Sequence, residues 1–323
     1  MILVTGGAGY IGSHYVRYER DRGSEVLVLD DLRLGHRAAI DDSPLLIGDL
    51  NNAAVVDLAF RTYTIESVVH FAAYTSVPES VAHPDRYYGN NVVPLIHLLD
   101  SMVRHNVRNI VFSSSCATYG DPQYIPIDEQ HPQAPVSPYG ESKRVCEGML
   151  QAYGRAYGVR YASLRYFNAS GAHPFAAIGE SHEPETHLIP IVLQAALGKR
   201  DKVVVYGADY PTPDGSCVRD YIHVCDLAEA HALALDRLRS GVDRGEYNLG
   251  SETGSSVLEV IAACRRITGR RITVEMGPRR PGDPPQLVAA SKKARTELGW
   301  RPSHPDLDEI VATAWKWETN RRY

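Results

Sequence analysis

Tyr139 and Lys143 stand four residues apart in Tyr139-Gly140-Glu141-Ser142-Lys143. At the beginning of a helix, that spacing puts a phenol and an ammonium on one face. A phenol with an ordinary pKa of about 10 is a poor base at neutral pH, and a neighbouring positive charge favours its ionised form. Such a pair can take the proton of a substrate hydroxyl while hydride leaves the same carbon. Surface helices often carry both residue types, so the weight of the pair depends on its company. Ahead of it, Phe112-Ser113-Ser114-Ser115-Cys116-Ala117-Thr118 ends a candidate strand in a serine cluster, where open α/β sheets bind ligands. Ser115 is the hydroxyl best placed to hydrogen-bond a reacting oxygen. The alternative for any serine in such a loop is that it satisfies main-chain groups.

A second constellation lies at the other end of the half-chain. Gly6-Gly7-Ala8-Gly9-Tyr10-Ile11-Gly12 follows an apolar strand and opens a helical pattern. Glycines there make the turn, let main-chain N–H groups approach a pyrophosphate, and let helix and strand come close. The next strand ends in Leu29-Asp30-Asp31, with Asp30 18 residues beyond Gly12. A carboxylate at about that spacing accepts hydrogen bonds from the adenosine ribose and repels a 2′-phosphate, which favours NAD over NADP. Arg33 is the counter-indication, since an arginine near the ribose can accept that phosphate.

The elements that must position these groups read as short β-branched runs alternating with amphipathic stretches. Ile2–Val4, Glu25–Leu29, Ser67–His70, Asn109–Phe112 and Arg160–Leu164 are the strand candidates. The expected fold is α/β, a doubly wound parallel sheet with a smaller mixed α/β substrate domain after it. We expect the cofactor domain over 1–167, with a returning segment near 220–245, and the substrate domain over 168–323. In the second half, Gly171, Pro174, Gly179, Pro184 and Pro190 break the chain into the long loops that carry binding groups.

With 323 residues, 44% hydrophobic and a formal charge of −5, the chain can bury a large core and lacks the basic field that binds nucleic acid or anionic lipid. The strand and turn in the first twelve residues leave no room for a leader, and no apolar run approaches a bilayer span, so a cytoplasmic protein is expected. The five cysteines share no Cys-x-x-Cys spacing and are expected to be reduced and mostly buried, with no metal site. Apolar residues crowd the stretch Asn90–Arg104, Val92, Val93, Leu95, Ile96, Leu98, Leu99, Met102 and Val103 among them. That exceeds what one helix side needs and points to a homodimer or to a helix buried within the monomer.

Beyond these readings, the whole chain resembles the extended short-chain dehydrogenase/reductases, and within them the UDP-galactose 4-epimerases. The resemblance rests on the glycine turn, the serine cluster, Tyr139/Lys143, His70-Phe71-Ala72-Ala73, Tyr87–Val92, Leu164-Arg165-Tyr166-Phe167-Asn168, Gly207–Tyr221 and Arg279–Asp283. It implies a Rossmann-type cofactor domain, retained NAD, and inversion at the 4-position of a UDP-hexose through a 4-keto sugar. It implies a catalytic set of Ser115, Tyr139 and Lys143. Around NAD it places Gly6, Gly9, Tyr10, Ile11, Gly12, Asp30, Asp49, Leu50, Phe71, Ala72, Ala73, Asn90, Tyr139, Lys143 and Tyr166. Around the UDP-sugar it places Ser115, Asn168, His187, Leu188, Arg219, Arg280 and Asp283.

Related chemistries are separated by single positions. Nucleotide-sugar dehydratases carry an Asp-Glu pair where this chain has Cys116 and Ala117, and GDP-sugar epimerase/reductases use a cysteine at the first of these for proton transfer. The stretches around Asn168 and Arg219 favour the 4-epimerases. Three departures bear on cofactor and substrate. Thr75 replaces a lysine that touches the cofactor, Pro78 replaces a glycine, and Leu287 stands where a tyrosine is associated with exclusion of N-acetylated sugars. UDP-N-acetylglucosamine, UDP-glucuronate and UDP-pentoses therefore remain alternative substrates.

Overall fold

A computed structural model of the chain describes residues 1–280 and 282–323. Six strands of the first half are β1 (Ile2–Thr5), β2 (Val26–Asp30), β3 (Leu45–Ile47), β4 (Ser67–His70), β5 (Asn109–Ser113) and β6 (Arg160–Tyr166). All pair in parallel, and a seventh strand, Arg244–Leu249, joins beyond β6. Across the sheet the order is Arg244–Leu249, β6, β5, β4, β1, β2, β3. In register, Ile2 lies opposite Val26 on one side and Ser67 on the other.

Because successive side chains of a strand point to opposite faces, a sheet covered on both sides must be apolar throughout. Ile2, Val4, Val26 and Val28 enter one core with the helices Tyr10–Asp21 and Val224–Arg239. Their neighbours Leu3, Leu27 and Leu29 enter the other, with the helices Ala53–Thr62, Val93–Arg104 and Pro138–Tyr157. The returning Val224–Arg239 helix thus packs against the helix of the glycine turn. A third core joins Ile189, Val192, Val205, Ile261 and Val311 in the C-terminal part.

The strand expectations hold to within two residues at either end, but β3 and Arg244–Leu249 were not anticipated. Three residues of β3 are too few to show a period, and Arg-Gly-Glu-Tyr-Asn-Leu lacks the β-branched run of an interior strand. Pro78 occupies the first turn of the short helix Val77–Ala82, capped by Ser76. A proline is accommodated there because that N–H needs no partner. Among the described residues, no helix is long and apolar enough to cross a membrane. All five cysteines are free thiols, with Cys146, Cys217 and Cys264 buried and Cys116 and Cys225 partly so.

One buried ion pair crosses from helix to sheet. Arg165 on β6 donates Nε to Glu147 Oε1 at 2.9 Å and Nη2 to Oε2 at 2.6 Å, with both side chains at most 5% exposed. Glu147 also accepts from the Ser114 hydroxyl at 2.6 Å and from Gln133 at 2.9 Å. Arg165 donates to the Tyr119 hydroxyl at 2.8 Å, which donates to Asn248 at 2.7 Å. Arg165→Ala leaves the Glu147 carboxylate buried without its cation, a loss of roughly 3–5 kcal/mol. Urea denaturation should show that loss, and an unfolding free energy unchanged by the substitution would refute this account of the network.

Candidate active site

The glycine turn closes between β1 and the helix Tyr10–Asp21. Gly6 has φ +70°, and a Cβ there would lie 2.5 Å from the Ala72 nitrogen; one on Gly12 would lie 2.3 Å from the Gly6 oxygen. No side chain fits at either position, so the turn keeps bare main chain at the carboxyl edge of the sheet. Phe71 and Ala72 both donate their N–H to the Thr5 carbonyl, at 2.9 and 3.2 Å, which presses the start of Phe71-Ala72-Ala73 against the turn. The Tyr10 hydroxyl is directed away, donating to the Gly171 carbonyl at 2.6 Å, and Ile11 packs on the first core.

Asp30, at the end of β2 and 8% exposed, accepts from the Ala8 N–H and the Leu32 N–H, each at 2.9 Å. Burial raises its pKa, and the two N–H groups pull it back. Arg33 is held by three partners: Asp31 at 2.8 Å, Asp49 at 3.0 Å and the Tyr74 hydroxyl at 2.6 Å. Two carboxylates on this guanidinium remove the counter-indication that it poses to NAD. Leu50 is buried, and its carbonyl is bonded to the His97 ring at 3.0 Å. The bare glycine main chain and the ribose-side carboxylate fit a dinucleotide with a free 2′-hydroxyl.

At the middle of the same edge, Tyr139, Lys143 and Ser115 come together. Ser137 caps the Pro138–Tyr157 helix and sets Tyr139 in its first turn. Burial pushes the Tyr139 phenol up to about 12, against a hydrogen bond from Ser115 that lowers it. Lys143 is 3% exposed and donates Nζ to the Ser113 carbonyl at 2.7 Å, with the ammonium 4.9 Å from the Phe112 ring centre. Burial lowers its pKa from 10.5 to about 8, with Cys146 and Glu147 opposing. Ser115 accepts the Ala117 N–H at 3.2 Å, so the backbone role expected of a loop serine is real and coexists with its place beside Tyr139. Tyr166 and the Ser113 hydroxyl share a hydrogen bond at the end of β6. Cys116 is likewise pushed up by burial, to about 12, against the nearby Arg219 charge.

The residues expected around the UDP-sugar divide into two groups. Arg219 donates Nη2 to Asp283 Oδ1 at 2.6 Å, and Arg280 donates Nε to Oδ2 at 3.1 Å, so two guanidinium groups face one carboxylate with a positive charge left over. Asn168 lies in register with Tyr221, its N–H on the Asp220 carbonyl at 3.0 Å. His187 is the residue before the helix Leu188–Ala196, its ring facing Glu180 and Glu185. Leu188 opens that helix.

Asn90 lies in the wide turn Tyr88–Val92, but the adjacent Asn91, which sequence reasoning missed, bears more on the site. Asn91 bonds both main-chain groups of Tyr74, at 2.8 and 3.0 Å, and donates to the Ser142 hydroxyl at 3.1 Å. It thereby fixes the loop after Ala73 to the turn that carries Lys143. An uncharged amide beside the apolar run of the following helix was the available signal.

The low Lys143 pKa carries a prediction for the protein stripped of nucleotide. Between pH 8 and 10.5 the unfolded chain binds a proton that the folded chain does not, so wild-type stability gains about 1.4 kcal/mol per pH unit from this group. Below pH 8 that contribution is gone. Lys143→Met lacks it altogether, so the variant should lose ground to wild type across pH 8–10.5 in denaturant titrations. Parallel stability curves would show that the ammonium is not held in a desolvated site.

Residues 2–250 match the model of the NAD dependent epimerase/dehydratase family. A UDP-glucose 4-epimerase of Halalkalibacterium halodurans is 52% identical over 98% of this chain and 95% of its own. The crystal structure of the Brucella ovis UDP-glucose 4-epimerase in complex with NAD superposes with a TM-score of 0.96 at 46% identity, covering 98% of this chain and 97% of that one. The UDP-Glc/GlcNAc 4-epimerase of Campylobacter jejuni gives 0.88 at 39% identity, over 98% of both. With the glycine cradle and the Tyr139/Lys143 pair, these likenesses make the chain an NAD-dependent enzyme of the NAD dependent epimerase/dehydratase family, in its UDP-glucose 4-epimerase branch.

Proposed function

We propose that this enzyme interconverts UDP-galactose and UDP-glucose by inverting the sugar 4-position, with Tyr139, Lys143 and Ser115 carrying the chemistry. The observation that carries the reading is the meeting of Ser115, Tyr139 and buried Lys143 at the edge of the sheet, between the glycine cradle and the Arg219/Arg280/Asp283 cluster. NAD, held by the glycine turn, Asp30 and Lys143, supplies the hydride acceptor and donor for the sugar carbon and a positive charge that favours the Tyr139 phenolate.

Tyr139 takes the proton of the 4-hydroxyl and later returns it to the oxygen of the inverted centre. Burial holds its pKa up at about 12 with Lys143 already beside it, so the phenolate also needs the positive charge that bound NAD would bring. Ser115 donates to the sugar oxygen as negative charge develops there. Inversion requires the 4-keto sugar to present both faces, so the anchoring must fall on the diphosphate. Arg219 and Arg280 offer planar forks suited to that group, and Asp283 keeps them oriented. The hexose is left free to turn.

The same reading extends to assembly and place. Val93 and Ile96 on the helix Val93–Arg104 and Tyr157 at the end of the Pro138–Tyr157 helix are apolar and exposed. A second copy would cover them, and we propose a homodimer in the cytoplasm.

Incubated with UDP-galactose and no added cofactor, the purified protein should form UDP-glucose, followed by chromatography. Tyr139→Phe should lower kcat roughly 100- to 10,000-fold with little change in KM, since it removes proton transfer and leaves diphosphate binding intact. Wild-type turnover in the variant would remove Tyr139 from the mechanism. Leu287, beside Arg219 in the parallel pairing, is only partly buried and is smaller than the tyrosine associated with exclusion of N-acetylated sugars. UDP-N-acetylglucosamine should therefore be a substrate, and Leu287→Tyr should suppress its turnover more than that of UDP-glucose. Equal effects on both sugars would discard this account of the pocket.

A further inference from the structure

Glu180, His182, Glu185 and His187 converge between the glycine-turn helix and the helix Leu188–Ala196, and neither the proposed chemistry nor the UDP-sugar contacts use them together. Each offers one ligand atom, and these atoms all lie within 4.8 Å of one another. The His187 Nδ1 is 2.7 Å from Glu180 Oε1 and 3.0 Å from Glu185 Oε1. The His182 Nδ1 is 3.2 Å from Glu180 Oε1 and 3.8 Å from Glu185 Oε2. Both glutamate side chains are almost fully covered, Glu180 at 6% and Glu185 at 2% exposed. Within this knot, Glu185 Oε2 and His182 Nδ1 are buried and have no hydrogen-bond partner among the described residues. A buried carboxylate oxygen left unpaired is costly, and such an atom calls for a proton, a water or an ion.

We propose that these four side chains form a binding site for a first-row divalent cation of the zinc type. Two imidazole nitrogens with two carboxylates are a donor set for zinc, whereas magnesium and calcium take oxygen alone. Zinc–nitrogen and zinc–oxygen bonds of about 2.0–2.2 Å put the donors of a tetrahedron roughly 3.3 Å apart. Four of the histidine–glutamate separations, 2.7–3.8 Å, straddle that value, and the widest donor pair, within 4.8 Å, closes by rotamer changes of up to about 1.5 Å. The two glutamates bring two negative charges, which one divalent ion balances.

The site would act as a clasp. Glu180 is tied to the C-terminal helix by its carbonyl, which accepts the Trp317 indole N–H at 2.7 Å. The His182 ring stands 6.4 Å from the Tyr10 ring, at the start of the glycine-turn helix. His187 precedes Leu188. An ion here would fix the loop between Glu180 and His187 against both halves of the molecule, beside the cleft and outside the Ser115/Tyr139/Lys143 group.

The test uses tag-free, full-length protein with its nucleotide left in place. After equilibration with zinc chloride and exhaustive dialysis, elemental analysis should find one zinc per chain. Cobalt(II) in place of zinc should give the intense visible bands of a tetrahedral ion, without a near-ultraviolet thiolate band. Glu185→Gln and His182→Ala should each weaken zinc binding at least ~10-fold, the low end of what even an outer partner contributes. Zinc should raise the thermal midpoint of the wild type, and both variants should lose that rise. Loss of all zinc on dialysis with no tetrahedral cobalt spectrum overturns the proposal. So does a thiolate band, or wild-type zinc affinity in both variants. None of these readouts depends on which sugar the enzyme uses.

Discussion

A buried ammonium must be answered by oxygen atoms, and the contact of Lys143 with the Ser113 carbonyl sets where the rest of the site stands. The Pro138–Tyr157 helix has to begin within a turn of the end of β5 for that bond to form. Its residues 139, 143 and 147 then fall on one stripe, facing the serine loop. Ser115 meets Tyr139, the Ser113 carbonyl meets Lys143, and the Ser114 hydroxyl meets Glu147. Three consecutive loop residues thus clasp three successive turns of one helix. Arg165 completes the arrangement by neutralising Glu147 from the neighbouring strand.

Charge is distributed unevenly along the edge of the sheet. At the glycine-turn end stands a buried carboxylate, Asp30, with Arg33 tied up by acidic partners. In the separate small sheet formed by Val218–Arg219, Ser255–Ser256 and Gln286–Leu287, Arg219 shares Asp283 with Arg280. On the proposed reading, the glycine-turn end excludes an added phosphate from the cofactor and the two arginines attract the diphosphate of the substrate. The desolvated region between them, whose charge is the buried Lys143 ammonium, is where a proton and a hydride can move without competition from water.

The sequence made legible what depends on local spacing. The glycine turn, Asp30, the helix through Tyr139 and Lys143 and the strands β1, β2, β4, β5 and β6 all announce themselves within short windows. Contacts closed over long distances were hidden. Nothing local joins Asn91 to Tyr74 and Ser142, or pairs Glu147 with Arg165, because these meet only when helix and sheet pack. Arg33 looked like a phosphate ligand until the fold brought Asp49 and Tyr74 to it. The gathering of Glu180, His182, Glu185 and His187 was hidden as well, although His187 was already placed near the sugar by resemblance. The strand Arg244–Leu249 was invisible for a different reason, since it is defined by its place beside β6 and not by its composition.

The hydrogen bond from Tyr10 to the Gly171 carbonyl joins the first residue of the glycine-turn helix to a loop 161 positions later in the chain. The glycine turn is thereby tied to the second half of the chain, so a movement of the Gly171 loop is felt at the start of the helix that follows the turn. Opening that one bond has a free energy of its own, separate from the stability of the whole fold.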